Sequence, residues 1–246
     1  MAKPPRHIDS ILREWEYEPG EVSARRVRAS DGREVLQMRI DLGVLQLEVD
    51  HRPDGQRPGG AETYFDYLLG LAVHQGDDFL LSEEQCAEAD REFVQFYQRR
   101  ICWLALRDFR RAIRDADHSL ALMDFVRTCS PSDDWLNSHE QYRPFILFHR
   151  TQAAALAELE DTNAEVAIEE INKGLDRIRQ LYVDIEAEDQ FDEDELVVRL
   201  NQLRESLRDY YHVGRTLNEQ LAEAVAKEDY ELAARLRDEI TRRTRN

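Results

Sequence analysis

Apolar residues change their spacing once along this chain. Between about residues 34 and 50 they recur at every second position, and from Ala61 onward at every third or fourth. Alternation marks a strand with one buried face, and the longer period marks an amphipathic helix. Glycine and proline, the residues that break helices, number only 10 and 7 in 246, while 34% of residues are charged. That combination favours helices over a sandwich or barrel. The chain is long enough for one large domain or two to three small ones.

The alternating part is ARRVRASDGREVLQMRIDLGVLQLEVDHRPDG. Leu36, Met38 and Ile40 fall on one side of a strand together with Glu34, and Gln37, Arg39 and Asp41 on the other. Leu45, Leu47 and Val49 repeat the pattern. Asp31-Gly32 is a hairpin turn by composition, because both residues tolerate positive φ. Leu42-Gly43 makes a second turn. The spacing predicts a three-stranded antiparallel meander over about 22–29, 33–41 and 44–50. Such a sheet needs a cover, supplied by the helical part or by the segment around Ile11, Leu12 and Trp15. RPDGQRPGG reads as the exit from the hairpin and a connection.

Residues 61–75 predict a short apolar helix. Ser82 to Gln85 is a capping box opening a helix with Phe93, Phe96, Tyr97, Ile101 and Leu104. Asp108-Phe109 turns into a second helix with Ala112, Ile113, Ala116 and Leu120 on one face. Pro144 suits the first residue of the next helix, and Thr162 to Glu165 reads as a further capping box, opening a helix with Ile168, Ile171, Leu175 and Ile178. Residues 184–195 hold eight acids in twelve positions. They read either as a solvated linker or as an acidic helix end with Asp192 capping the next helix. Apolar residues at 196, 197, 200, 203 and 207 predict that helix, with Gly214 as its break.

Residues 107–123 and 160–178 each place an alanine after a turn (Ala112, Ala167) and a small residue seven positions on (Ser119, Gly174), followed by leucine. In this they resemble tetratricopeptide repeats, with 91–106 and 145–159 as partner helices. The two alanines lie 55 residues apart, so the spacing departs from the 34-residue period of a regular array. The resemblance implies helical pairs that offer a groove to a peptide or protein, by analogy of fold.

Residues 217–240, LNEQLAEAVAKEDYELAARLRDEI, have apolar stripes at helical spacing on either side of Lys227-Glu228-Asp229. Asp229 can cap the second helix, and Glu231 favours its positive end. Alanines at 224, 226, 233 and 234 let two backbones approach closely. Four buried methyls at about 0.8 kcal/mol each are too little for the hairpin to stand alone. Leu217, Leu221, Ala224, Asp229-Tyr230-Glu231, Ala233-Ala234, Leu236-Arg237-Asp238 and Ile240 resemble the UVR motif. That motif was first defined in subunits B and C of the bacterial excision-repair nuclease. It occurs also in class C Clp chaperones and in the activator of a bacterial protein-arginine kinase. Those families often have Phe at Tyr230 and Met near Leu221. In them the hairpin mediates protein–protein contact. The resemblance therefore implies docking of a protein partner, or dimerisation, through Leu217, Leu221, Ala224, Tyr230, Ala233, Ala234, Leu236, Arg237 and Ile240. Arg237 reads as an interfacial ion-pair partner, as a local helical pair, for example with Glu231, or as a solvent-exposed residue. Arg242, Arg243 and Arg245 complement the helix dipole.

The expected architecture is mainly α. A β-meander module (1–60) leads, a tetratricopeptide-like helical domain (61–183) follows, then an acidic linker and connecting helix (184–213) and the hairpin (214–246). Acids outnumber bases 51 to 33, giving a net charge of −18, a field that repels nucleic acid and anionic membranes. Protein partners are therefore expected, and nucleic acid is not. Three scattered cysteines, Cys86, Cys102 and Cys129, fit a reducing compartment. MAKPPRHIDSILREWEYEP has no apolar leader core, and no stretch is long enough to span a bilayer. A cytoplasmic bacterial adaptor or scaffold is the expectation. No phosphate-loop, dinucleotide or zinc-protease pattern occurs, so no enzyme activity, cofactor or metal is expected. Asp115 and His118 at i, i+3 read as a surface contact in place of a metal pair. Cys102-Trp103 reads as core, and Trp15 and Trp135 as core or packing. Two other readings stay open: a nucleic-acid-associated repair accessory, and an enzyme with its site in the N-terminal module.

Overall fold

The computed structural model describes residues 8–161 and 163–244, the side chains of Asp77, Arg243 and Thr244 aside. The chain divides into two compact units, Met1–Ile146 and Leu147–Asn246, where the sequence reading divided it after residues 60, 183 and 213. No helix among the described residues is long and apolar enough to cross a membrane. The architecture is mainly α, with an N-terminal sheet and a C-terminal helix pair.

In the first unit a short helix α1 (Asp9–Glu14) precedes an antiparallel sheet of β1 (Ala24–Arg28), β2 (Glu34–Ile40) and β3 (Gly43–Glu48), in the order β1-β2-β3. Gly32 has φ +90° in the first turn, which its missing Cβ permits. The second turn is Asp41-Leu42, since Gly43 already pairs with Ile40. The central strand is buried on both faces: Val35 and Leu36 are both fully covered, and Arg39 is nearly so. The simple one-faced alternation therefore fails here, because both expected covers are present. The Arg26 guanidinium lies over the Trp103 ring on one face. On the other, the Arg25 guanidinium stacks on Trp15 at 4.2 Å, and Arg39 Nε donates to the Trp15 carbonyl at 2.8 Å.

Four helices follow, α2 (Tyr64–Gln75), α3 (Glu83–Ala105), α4 (Phe109–Cys129) and α5 (Asp133–Glu140), and then the start of α6 (Arg143–Glu160). Ser82 and Gln85 form the capping box expected of them, and Asp108 caps α4. Pro144 is the second helical residue of α6 and not the first. Ser132 caps the short helix α5. Leu68, Ala89, Leu122 and Val126 form the core between α2, α3 and α4. Cys102 and Trp103 are fully buried, while Trp15 and Trp135 are half-buried packing residues.

Charges run through this interior. Arg99 is buried, and its Nε and Nη2 each donate to Asp115 at 2.8 Å. Its Nη1 donates to the carbonyls of Glu48 and His51. Arg52, 1% exposed, pairs with Glu88 at 2.8 Å. Glu92 is fully buried and accepts the Tyr64 and Phe65 backbone N–H groups at 2.7 and 2.9 Å. Those donors are left over at the start of α2, where a negative charge is favoured. His118 sits 3.0 Å from the same carboxylate. Asp115 and His118 thus belong to a buried network, not to a surface contact. Arg52, read as part of the exit from the hairpin, is buried among these charges.

The second unit contains the rest of α6, then α7 (Ala164–Asp184), α8 (Glu195–Tyr211), α9 (Leu217–Ala226) and α10 (Tyr230–Thr244). Asn163 caps α7 through the Val166 N–H; Thr162, the expected cap, lies outside the described residues. The acidic stretch is no extended linker. Residues Glu188–Glu193 form a 3-10 turn whose Phe191 is buried, in edge contact with Tyr182 and under the Arg179 guanidinium at 4.0 Å. The cap of α8 is Asp194, not Asp192. The helix ends on His212 in the left-handed conformation, ahead of Gly214. Gly174 lets α7 touch α6: a Cβ there would stand 2.1 Å from Thr151 Oγ1.

Two substitutions test this packing. Asp115→Ala strands the Arg99 guanidinium and should cost about 3–5 kcal/mol in chemical unfolding. Gly174→Ala forces α6 and α7 apart and should cost about 1–3 kcal/mol. An unchanged denaturation midpoint for either would contradict the corresponding contact.

Candidate functional site

The C-terminal hairpin is built from two helices and a three-residue loop. Thr216 opens α9 as a capping box with Glu219. Lys227–Asp229 make the turn, with Glu228 in the left-handed conformation at φ +58°. Asp229 Oδ1 accepts the Leu232 N–H at 3.0 Å, the cap expected of it.

The seam between the helices is narrow. Ala224, Ala233 and Leu236 are buried in it, and Leu217 and Leu221 pack against them half-buried. Ile240 is half-buried as well. Ala226 and Ala234 are exposed, so two alanines, not four, close the seam. Helical periodicity predicts that Ala233 and Ala234 lie a hundred degrees apart, but not which of them faces α9. Two buried methyls and one leucine contribute only a few kcal/mol. Tyr230 is 69% exposed, and with Val225, Leu232 and Ala234 it leaves apolar surface on the outside near the loop end. Arg237 is exposed, and its nearest acid is Asp238 at 3.7 Å. Glu231 pairs instead with Arg235 at 2.9 Å. The structure therefore brings Leu217, Leu221, Ala224, Ala233 and Leu236 together, and sets Tyr230, Ala234 and Arg237 on the outside.

A carboxylate absent from the expected set fixes the hairpin in its unit. Glu219 Oε2 accepts the Thr216 N–H at 2.8 Å. Its Oε1 accepts from Asn172 of α7 at 3.1 Å and from Arg208 of α8. Asn172 also accepts from Arg204 at 2.9 Å, and Asn218 donates to Glu169 at 2.9 Å. The signal was present in the sequence, since Thr216-Leu-Asn-Glu219 has capping-box spacing. Nothing in it names Asn172 or Arg208. Burial pushes the Glu219 carboxyl up, but the Thr216 N–H, Asn172 and Arg208 outweigh burial and hold it below the usual glutamate range. Lys227 and Arg215 do the same for exposed Glu223.

With this geometry in view, comparison with protein families finds one match, the UvrB/uvrC motif, over residues 215–242. Residues 215–242 are a UVR motif. Its limits coincide with α9 and α10 to within two residues. The motif is an interaction module, and it spans a small part of the chain. Comparisons with curated proteins and with solved structures return no match.

A carboxylate with a lowered pKa stabilises the fold at pH values above its unfolded value, near 4.5, and stops doing so as pH falls through its folded value. Glu219→Gln keeps the cap but loses the charge. It should lower the thermal midpoint at pH 7, with the gap from the parent chain narrowing steadily below about pH 4.5. A gap independent of pH would show that the charge is not what holds the hairpin.

Proposed function

We propose that this chain is a non-catalytic adaptor or scaffold of the bacterial cytoplasm. Its UVR hairpin docks a protein partner or a second copy of the chain. The observation that carries this reading is the coincidence of the UVR match with a hairpin whose own seam is thin and which leaves Tyr230 and Ala234, four positions apart on one side of α10, exposed. Apolar side chains grouped on the outside of a two-helix unit gain most by association.

The helical body serves as a second binding surface in this reading. Support comes from the small residues of the tetratricopeptide-like pattern. Ala112, Ser119 and Ala167 are all buried, and Gly174 lies against Thr151. These are the positions at which paired helices of that kind approach one another.

A second reading, a nucleic-acid-associated repair accessory, draws on the motif's occurrence and on exposed Arg235, Arg237 and Arg242 of α10. The net charge of −18 weighs against it. Salt-sensitive retention of DNA at low ionic strength would favour it over protein docking.

Light scattering and affinity capture of the full chain test the docking reading. Tyr230→Glu and Ala234→Glu put a charge on the outer face and should abolish association while leaving helical content unchanged. Ala233→Glu puts a carboxylate into the seam and should lose both helicity and association. If both outer-face variants keep every oligomer and partner of the parent chain, the hairpin does not dock through this face.

A further inference from the structure

The helix α2 carries a glycine that its own unit does not require. Gly70 lies in the middle of Tyr64–Gln75, on the exposed side. Glycine weakens a helix interior relative to alanine. A Cβ at Gly70 would meet nothing within 4 Å, and the backbone there is helical. Neither packing nor backbone conformation within the chain therefore calls for the missing side chain. What a glycine on an open helix face does allow is the close approach of a second backbone.

The residues around Gly70 are arranged symmetrically. In the stretch DYLLGLAVH, Asp66 and Tyr67 stand four and three positions before it, and Val73 and His74 three and four positions after it. These spacings place all five on one side of the helix. Asp66, Gly70, Val73 and His74 are exposed, Val73 by 83%, and Tyr67 is half-buried. The opposite side, with Tyr64 and Leu68, is in the core. Turning α2 by half a circle about a line through Gly70 perpendicular to its axis brings Asp66 to the level of His74, and Tyr67 to the level of Val73. Acid then falls on base, and apolar on apolar. His74 Nδ1 donates to the Gly70 carbonyl at 2.6 Å, so Nε2 is the ring nitrogen available to a carboxylate. The contacts of Asp66 to the Thr63 cap both use Oδ2.

We propose that α2 pairs antiparallel with α2 of a second copy of the chain, on a two-fold axis at Gly70. Two Asp66–His74 contacts and two Tyr67–Val73 contacts flank the crossing. The occupant is a second copy because the face is complementary to itself, the condition for an isologous interface. Chains with a net charge of −18 repel over most of their surface, whereas this face balances one acid with one histidine. One helix face is small beside the roughly 800 Å² per partner of a stable interface. The dimer is accordingly weak, and forms at protein concentrations above those at which hairpin docking is read. It is independent of the hairpin.

Sedimentation velocity of the full chain carrying Tyr230→Glu and Ala234→Glu, which silence the hairpin, tests the proposal over a concentration series. A monomer–dimer equilibrium is expected. Gly70→Glu in the same background should weaken the dimer at least about tenfold without lowering the thermal midpoint. Gly70→Cys should oxidise to a covalent dimer, the three native cysteines being buried. His74→Cys should not, because the two copies of position 74 would stand about 12 Å apart along the axis, beyond the reach of a disulfide. If the Gly70→Glu chain unfolds, the two cysteine variants decide alone. A chain that stays monomeric at every concentration overturns the proposal, as does a dimer indifferent to Gly70→Glu. No covalent dimer from Gly70→Cys, or one from His74→Cys formed as fast, removes the two-fold axis from Gly70 and overturns it too.

Discussion

The first unit depends on charges placed where no solvent reaches them. Arg99 joins three elements through one guanidinium: it sits on α3, grips Asp115 of α4, and holds the carbonyls at the end of β3 and just beyond. A three-stranded sheet buries too little to persist alone, and this side chain anchors its exit to the helices. Glu92 does the corresponding work for α2 by taking its leading N–H groups. Removing a charge from water is costly. It is tolerated here because Arg99, Asp115 and Glu92 each meet more than one hydrogen-bonding atom.

The second unit reaches order by a different balance. The contact between α7 and α8 is conventional and apolar, with Ile171, Leu175, Val197 and Leu200 in the interior. The hairpin adds little apolar area and is held instead at its root, by Glu219 and Asn218 on α7 and α8. Near its free end Val225, Tyr230, Leu232 and Ala234 are each exposed. Root and tip thus have separate physics: polar and fixed at one, apolar and available at the other.

Much of this was legible in the residues because local rules govern it. The meander, the Ser82–Gln85 box, the turn at Asp108 and the loop at 227–229 follow from turn chemistry and capping, which act within a few positions. What stayed hidden depends on distant partners. A charged residue reads as surface by default, so Arg52, Glu92, Arg99 and Asp115 could not be placed inside without their mates 16 to 40 positions away. Acidic density suggested a linker at 184–195, and one phenylalanine, Phe191, was enough to dock it. In the hairpin, periodicity separated the two alanine stripes, but the choice of Ala233 as the inner one rests on the path of α9.

Glu219 has one further consequence. Its carboxylate both completes the cap of α9 and carries the contacts to Asn172 and Arg208. The two roles fall on different oxygens, Oε2 for the cap and Oε1 for the neighbouring helices. Pulling the hairpin away from α7 and α8 therefore breaks the Oε1 contacts and leaves the Thr216–Glu219 cap, which is local to α9, in place. The first helix of the hairpin keeps its start whether it is docked or detached.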